Sequence, residues 1–229
     1  KKLKFKRGPG NYSCLPTIGD VFTNVEGGIH TTDIKVSKYY FEKGNPFYDE
    51  ELDGPNFKKY CLDNNFEGID YLYVLLTWNG QYKPFNDDFS HFEPFIVEFI
   101  NRAKEDFPNI KVRLIGIHSP SIDGGIAANY GASGFYSDVF GEVTTAFNYD
   151  LYLENLCKRD EYKDFCRYID MKAQFDVEYN MPAAMYKVNT RNEKLERIGT
   201  NGVHPTMEGY LQIGDVFYRA LVADMEKEA

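Results

Sequence analysis

One histidine of this chain sits in a setting that could do chemistry. His204 closes the turn Gly199-Thr200-Asn201-Gly202-Val203-His204 and is followed by Pro205, after which apolar residues recur at helical spacing at Met207, Tyr210, Leu211, Ile213, Val216 and Phe217. A proline at the start of an amphipathic helix fixes the backbone that leads into it, so an imidazole just before it is held rather than mobile. Imidazole is also the side chain whose ordinary pKa lies nearest neutrality, which makes His204 a candidate general base. The other histidines, His30, His91 and His118, show no paired ligand spacing and are expected to be structural or exposed. Ser119 and Ser121 lie near a predicted strand end but lack the glycines of a nucleophile elbow.

The elements that must position His204 can be read from periodicity. Asp70 to Leu76 and Ile110 to Ile117 are short, almost continuously apolar runs, the pattern of buried parallel strands, and they are expected to lie adjacent and parallel. Helices are predicted over Thr31 to Tyr40, Phe57 to Asn64, Asp87 to Phe107, Tyr136 to Lys158 and from Thr206 onward, with weaker strand signals at Leu3 to Lys6 and Arg167 to Met171. Strands alternating with helices imply an α/β fold with a parallel sheet, whose ligands bind at the C-terminal ends of the strands. Phe175 to Val203 shows no clean period and is expected to be an irregular rim or lid.

Composition narrows the function. A length of 229 residues accommodates one sizeable domain, expected over 1–229, and a formal net charge of −9 argues against a nucleic-acid backbone as the main partner. No apolar run is long enough to suggest a membrane span, and no N-terminal signal pattern is seen. The 18 Tyr and 18 Phe fill the core on the simplest reading, although exposed rings can also stack on sugars. Cys14, Cys61, Cys157 and Cys166 have no CxxC spacing, so zinc or redox chemistry is not expected, and Cys157 and Cys166 read as core residues.

The His204 stretch resembles the fifth sequence block of the SGNH (GDSL-type) hydrolases, where an Asp or Asn, two intervening residues and the catalytic His precede a Pro and a closing helix. Asp70-Tyr71-Leu72-Tyr73-Val74-Leu75-Leu76-Thr77-Trp78-Asn79 resembles the third block, a buried strand ending in Gly-x-Asn-Asp. Val25 to Thr31, Gly44 to Tyr48, Phe57 to Tyr60 and Asn189 to Asn192 follow the order of one branch with bacterial and phage-encoded members, so the resemblance covers nearly the whole chain from Leu3 onward. It implies a three-layer α/β sandwich of flavodoxin-like kind, with a central parallel sheet of strand order 2-1-3-4-5. It also implies ester hydrolysis through an acyl-serine, with no cofactor and no metal. The substrate implied is a small ester or an O-acylated carbohydrate.

Carried onto this chain, the resemblance makes His204 the base and Asn79 the oxyanion-hole amide, and it places Asn201 where the family's carboxylate stands. Gly28, His30 and Trp78 fall on the substrate-binding side, with His30 at the position of a donor glycine. Gly80 replaces the Asp after the oxyanion Asn, and no Gly-Asp-Ser occurs, since Ile18-Gly19-Asp20-Val21 has valine where serine should stand. The expectation is that the first strand and its serine lie upstream of Lys1. The central strand would then come from an N-terminal segment or a partner, unless Leu3 to Lys6 takes its slot. Asp176 and Glu178 are candidates for the missing carboxylate. The rival expectation, which Asn201, His30 and Gly80 favour, is a noncatalytic glycan-binding or structural domain of a surface or virion assembly.

Overall fold

The computed structural model describes residues 47–75, 84–90, 92–123, 125 and 138–227. Their elements are β1 (Tyr48–Asp49), β2 (Gly54–Pro55), α1 (Phe57–Asp63), β3 (Tyr71–Val74), α2 (Glu93–Asp106), β4 (Lys111–Ile115), α3 (Val139–Cys157), β5 (Cys166–Ile169), β6 (Ala183–Asn189), β7 (Asn192–Gly199) and α4 (Met207–Lys227). The class is α/β, with a three-stranded parallel sheet in the order β3-β4-β5. Val112 N–H donates to Phe165 O and Gly116 N–H to Ile169 O, so residue numbers rise together along β4 and β5, as parallel pairing requires. The two strands expected from apolar runs are therefore present and adjacent. Leu3 to Lys6, the Thr31 to Tyr40 helix, Cys14, Gly28, His30, Trp78, Asn79 and Gly80 lie outside the described residues.

The chain divides into two compact units, one of residues 1–80, 88–113 and 160–167, the other of 81–87, 114–159 and 168–229. In the first, the orphan N–H groups at the start of α1 are met by side chains. Asn56 Oδ1 accepts from Lys59 N–H at 2.9 Å, and Asp106 Oδ2 accepts from Phe57 and Lys58 N–H at 3.0 and 3.2 Å. Phe57 packs edge-on against Phe99 of α2, with ring centroids 5.0 Å apart, and both rings are buried. Helix α2 begins at Glu93, later than the Asp87 expected, with Pro94 in its first turn where the missing N–H costs nothing.

In the second unit, Asp138 caps α3 by accepting from Gly141 N–H at 2.8 Å, and Thr145, Ala146, Tyr149, Leu153 and Leu156 turn inward at helical spacing. The segment expected to be irregular is instead a β-hairpin: β6 and β7 pair antiparallel from Ala183↔Gly199 to Asn189↔Asn192. Its signal was hidden because most of its side chains are exposed, so no apolar alternation marks it, and the turn Asn189-Thr190-Arg191-Asn192 lacks the glycine of a common two-residue turn. Helix α4 also differs from expectation. Gly209 and Val216 face inward, whereas Met207 and Leu211, read as part of the same apolar face, are exposed. Cys61, Cys157 and Cys166 are buried.

Two glycines of α4 give a paired test. A Cβ on Gly209 would stand 2.6 Å from Pro205 Cβ and 2.7 Å from Asn180 O, whereas one on Gly214 meets nothing within 4 Å. Gly209→Ala should therefore lower stability by about 1–3 kcal/mol through overpacking. Gly214→Ala should raise it by roughly 0.5–1 kcal/mol through helix propensity. Urea unfolding followed by circular dichroism measures both, and equal effects at the two sites would contradict this packing of α4.

Candidate functional site

The turn carrying His204 is pinned on both flanks. Thr200 N–H donates to Pro182 O (2.9 Å), Thr206 N–H donates to Asn180 O (2.9 Å), and Ser121 N–H, in the loop after β4, donates to Gly202 O (3.1 Å). The base of the hairpin is tied down by Arg197, whose guanidinium pairs with Asp123 and donates to Met181 O at 3.3 Å. The turn thus lies against the segment that leaves the C-terminal end of β4, the place where open α/β sheets gather functional groups.

Inside the turn, Asn201 fixes the imidazole. Its Oδ1 accepts from Val203 N–H (3.1 Å) and His204 N–H (2.8 Å), and its Nδ2 lies 3.2 Å from His204 Nδ1. Turning the amide over would set its NH₂ against two N–H donors, at a cost of about 1–3 kcal/mol for each group left unsatisfied. The amide orientation is therefore settled by the turn, and Nδ2–H is the donor to Nδ1. His204 Nδ1 must then be an acceptor, which puts the ring proton on Nε2. Burial also pushes the His204 pKa down, so this neutral tautomer is the resting form. A general base needs the opposite arrangement, a proton on Nδ1 and a lone pair on Nε2.

The structure brings His118, expected to be structural or exposed, to the same turn. It is buried, its ring lies 4.8 Å from that of Phe175, and its Nδ1 is 2.8 Å from Ser119 O. Burial lowers its pKa to about 4, against the opposing pull of hydrogen bonds to the Ser119 and Val203 backbone, with a further lowering from His204. Ser121 is buried, and its Oγ accepts from Asp123 N–H at 3.4 Å, within its own turn. Asp176 uses Oδ1 to accept from Glu178 and Tyr179 N–H at 3.1 and 3.0 Å, while the place beside His204 Nδ1 is taken by Asn201.

A second polar cluster, not anticipated from the sequence, underlies this loop. Asp150 of α3 accepts from Ile117 N–H at 3.0 Å, pairs with Lys172 Nζ at 3.2 Å and hydrogen-bonds Tyr168 of β5. Burial raises its carboxyl to about 6 despite Lys172, lowers Lys172, and raises the Tyr168 hydroxyl with help from Asp150. Gly116 makes room for the cluster, since a Cβ there would stand 2.6 Å from Tyr168 Oη and 2.7 Å from Asp150 Oδ1. Only the missing side chain of Gly116 hinted at this in the sequence. Among the described residues no group of three or more His, Cys, Asp or Glu side chains is placed to hold a metal, and no helix is long and apolar enough to cross a membrane.

No protein-family model matches this chain, and no curated protein does. Among solved structures it is similar to one described as a possible lipase from Chitinophaga pinensis, at 12% identity and a TM-score of 0.36, over 73% of this chain and 76% of that one. At that score the two share too little backbone for the likeness to bear on what this chain does.

Asp150 and His118, both buried, should oppose each other in stability. Asp150, raised from 3.8 to about 6, leaves the folded state holding the extra proton, so its contribution is present below pH 4 and is lost as pH rises to 6. His118, lowered from 6.5 to about 4, leaves the unfolded state holding the extra proton, so its contribution is present above pH 6.5 and is lost as pH falls to 4. Each is worth on the order of 3 kcal/mol across its window. Relative to wild type, Asp150→Asn should make stability rise more steeply between pH 4 and 6.5, and His118→Asn should make it rise less or fall. Urea midpoints across that range give the slopes, and curves parallel to wild type would contradict the assigned burial.

Proposed function

We propose that this chain is an ester hydrolase of the SGNH kind, acting on an O-acylated carbohydrate or similar small ester, with His204 held by Asn201 as a hydrogen-bond donor so that turnover is slow. The observation that carries this reading is the placement of His204, fixed in its turn by Asn201 and set beside the loop that follows β4. In this reading a serine is the nucleophile, Asn79 donates to the oxyanion, and Gly28, His30 and Trp78 face the substrate. His204 serves as base only in the small fraction of molecules whose ring carries its proton on Nδ1. A carboxylate at position 201 keeps both turn hydrogen bonds and accepts from Nδ1–H, which frees Nε2 as a base. The same donor tautomer favours a second reading, a noncatalytic glycan-binding domain that has kept the fold and lost turnover.

Hydrolysis of p-nitrophenyl acetate separates the two. On the hydrolase reading, the full-length protein that carries the serine turns over slowly, Asn201→Asp in it raises kcat/KM by about a hundredfold or more, and adding His204→Ala to that variant abolishes the gain. An Asn201→Asp protein that folds as wild type does and stays inert would favour the binding reading. Fast wild-type turnover insensitive to His204→Ala would remove His204 from the mechanism.

A further inference from the structure

Helix α4 carries a second apolar face that stands exposed. Met207, Leu211, Tyr218 and Met225 are 63%, 65%, 68% and 39% exposed, and Leu221 is only partly buried. With Gly214, whose Cβ position faces open space, they form the series 207, 211, 214, 218, 221 and 225. Steps of four and three residues in alternation are the heptad spacing of a seam packed against another helix. The inward positions Gly209, Val216 and Asp224 lie on another side of the same helix. One apolar face holds α4 to the fold, and among the described residues nothing packs over this stripe, which is about 27 Å long.

We propose that α4 pairs antiparallel with α4 of a second copy of this chain about a two-fold axis. The stripe is complementary to its own reverse. Setting Met207 against the partner's Met225 also sets Leu211 against the partner's Leu221, and Gly214 against the partner's Tyr218. The centre of the seam then matches the smallest residue to the bulkiest, twice, as an isologous contact demands. A parallel pair would stack Tyr218 on Tyr218 and leave Gly214 opposite Gly214. The four most exposed side chains present on the order of 500 Å² of apolar surface per copy, so a pair buries about 1,000 Å², the lower limit for a specific interface.

Sedimentation velocity of the full chain from about 1 to 100 µM should show a monomer–dimer equilibrium. Leu211→Glu and Tyr218→Glu, both at exposed positions, should each weaken it at least about a hundredfold without moving the circular dichroism spectrum. Orientation is read by oxidative cross-linking. The Met207→Cys, Met225→Cys double variant should give a disulfide-linked dimer on a non-reducing gel, and neither single variant should. A wild-type chain that stays monomeric at 100 µM, a dimer indifferent to Leu211→Glu, or efficient cross-linking of Met207→Cys alone would overturn the proposal. Monomers that instead sediment with phosphatidylcholine vesicles would also overturn it, and would assign the stripe to a lipid surface.

Discussion

The two hydrogen bonds that Asn201 Oδ1 accepts from the Val203 and His204 N–H groups hold the candidate site together. They shape the turn, and because they occupy the oxygen they also decide which end of the amide meets the imidazole. The proton position on His204 is thus set by backbone geometry. An aspartate would make the same turn with the same two bonds and present an acceptor where the asparagine presents a donor. Asn and Asp at this position are close to equivalent for folding and opposite for proton transfer, so a single side-chain atom separates a base from a binding group.

The turn in turn depends on how the end of β4 is held. The carboxylate of Asp150 accepts from Ile117 N–H, and the glycine at 116 lets Asp150 and Tyr168 close over the strand end. From there the loop runs through His118 to Ser121, whose N–H holds Gly202 O. Burying Asp150 with Lys172 is no large source of stability, since desolvation of the two charges offsets most of their attraction. What the cluster supplies is a fixed exit from the strand, on which the His204 turn rests.

Much of this was legible in the sequence where the period was strong. Val112, Leu114 and Ile115 gave β4 as a near-continuous apolar run, and Pro205 with the residues after it gave α4. The hairpin was not legible, because Lys187, Glu193, Lys194 and Glu196 place charge on a ribbon exposed along most of its length. The apolar residues of α4 fall on two faces, since at 3.6 residues per turn Leu211 and Val216 point about 140° apart, and a list of apolar positions alone does not say which face is buried. Position 201 was legible as a residue but not as a device. That its oxygen is claimed by two backbone donors, leaving nitrogen for the ring, is a fact of three dimensions. His118, expected to be structural or exposed, is the first of these, and nothing in His118-Ser119-Pro120-Ser121 announces its place beside Phe175.

The most direct test of the account is the tautomer itself. ¹⁵N-detected long-range correlation spectra of the histidine rings, recorded near pH 8 where His204 is neutral, distinguish a protonated ring nitrogen from one with a free lone pair. The geometry predicts that His204 carries its proton on Nε2 in the wild-type chain, and on Nδ1 once Asn201 is replaced by Asp. A wild-type His204 protonated on Nδ1 would mean that Asn201 does not hold the ring as described, and the claim that it restrains catalysis would fall with it.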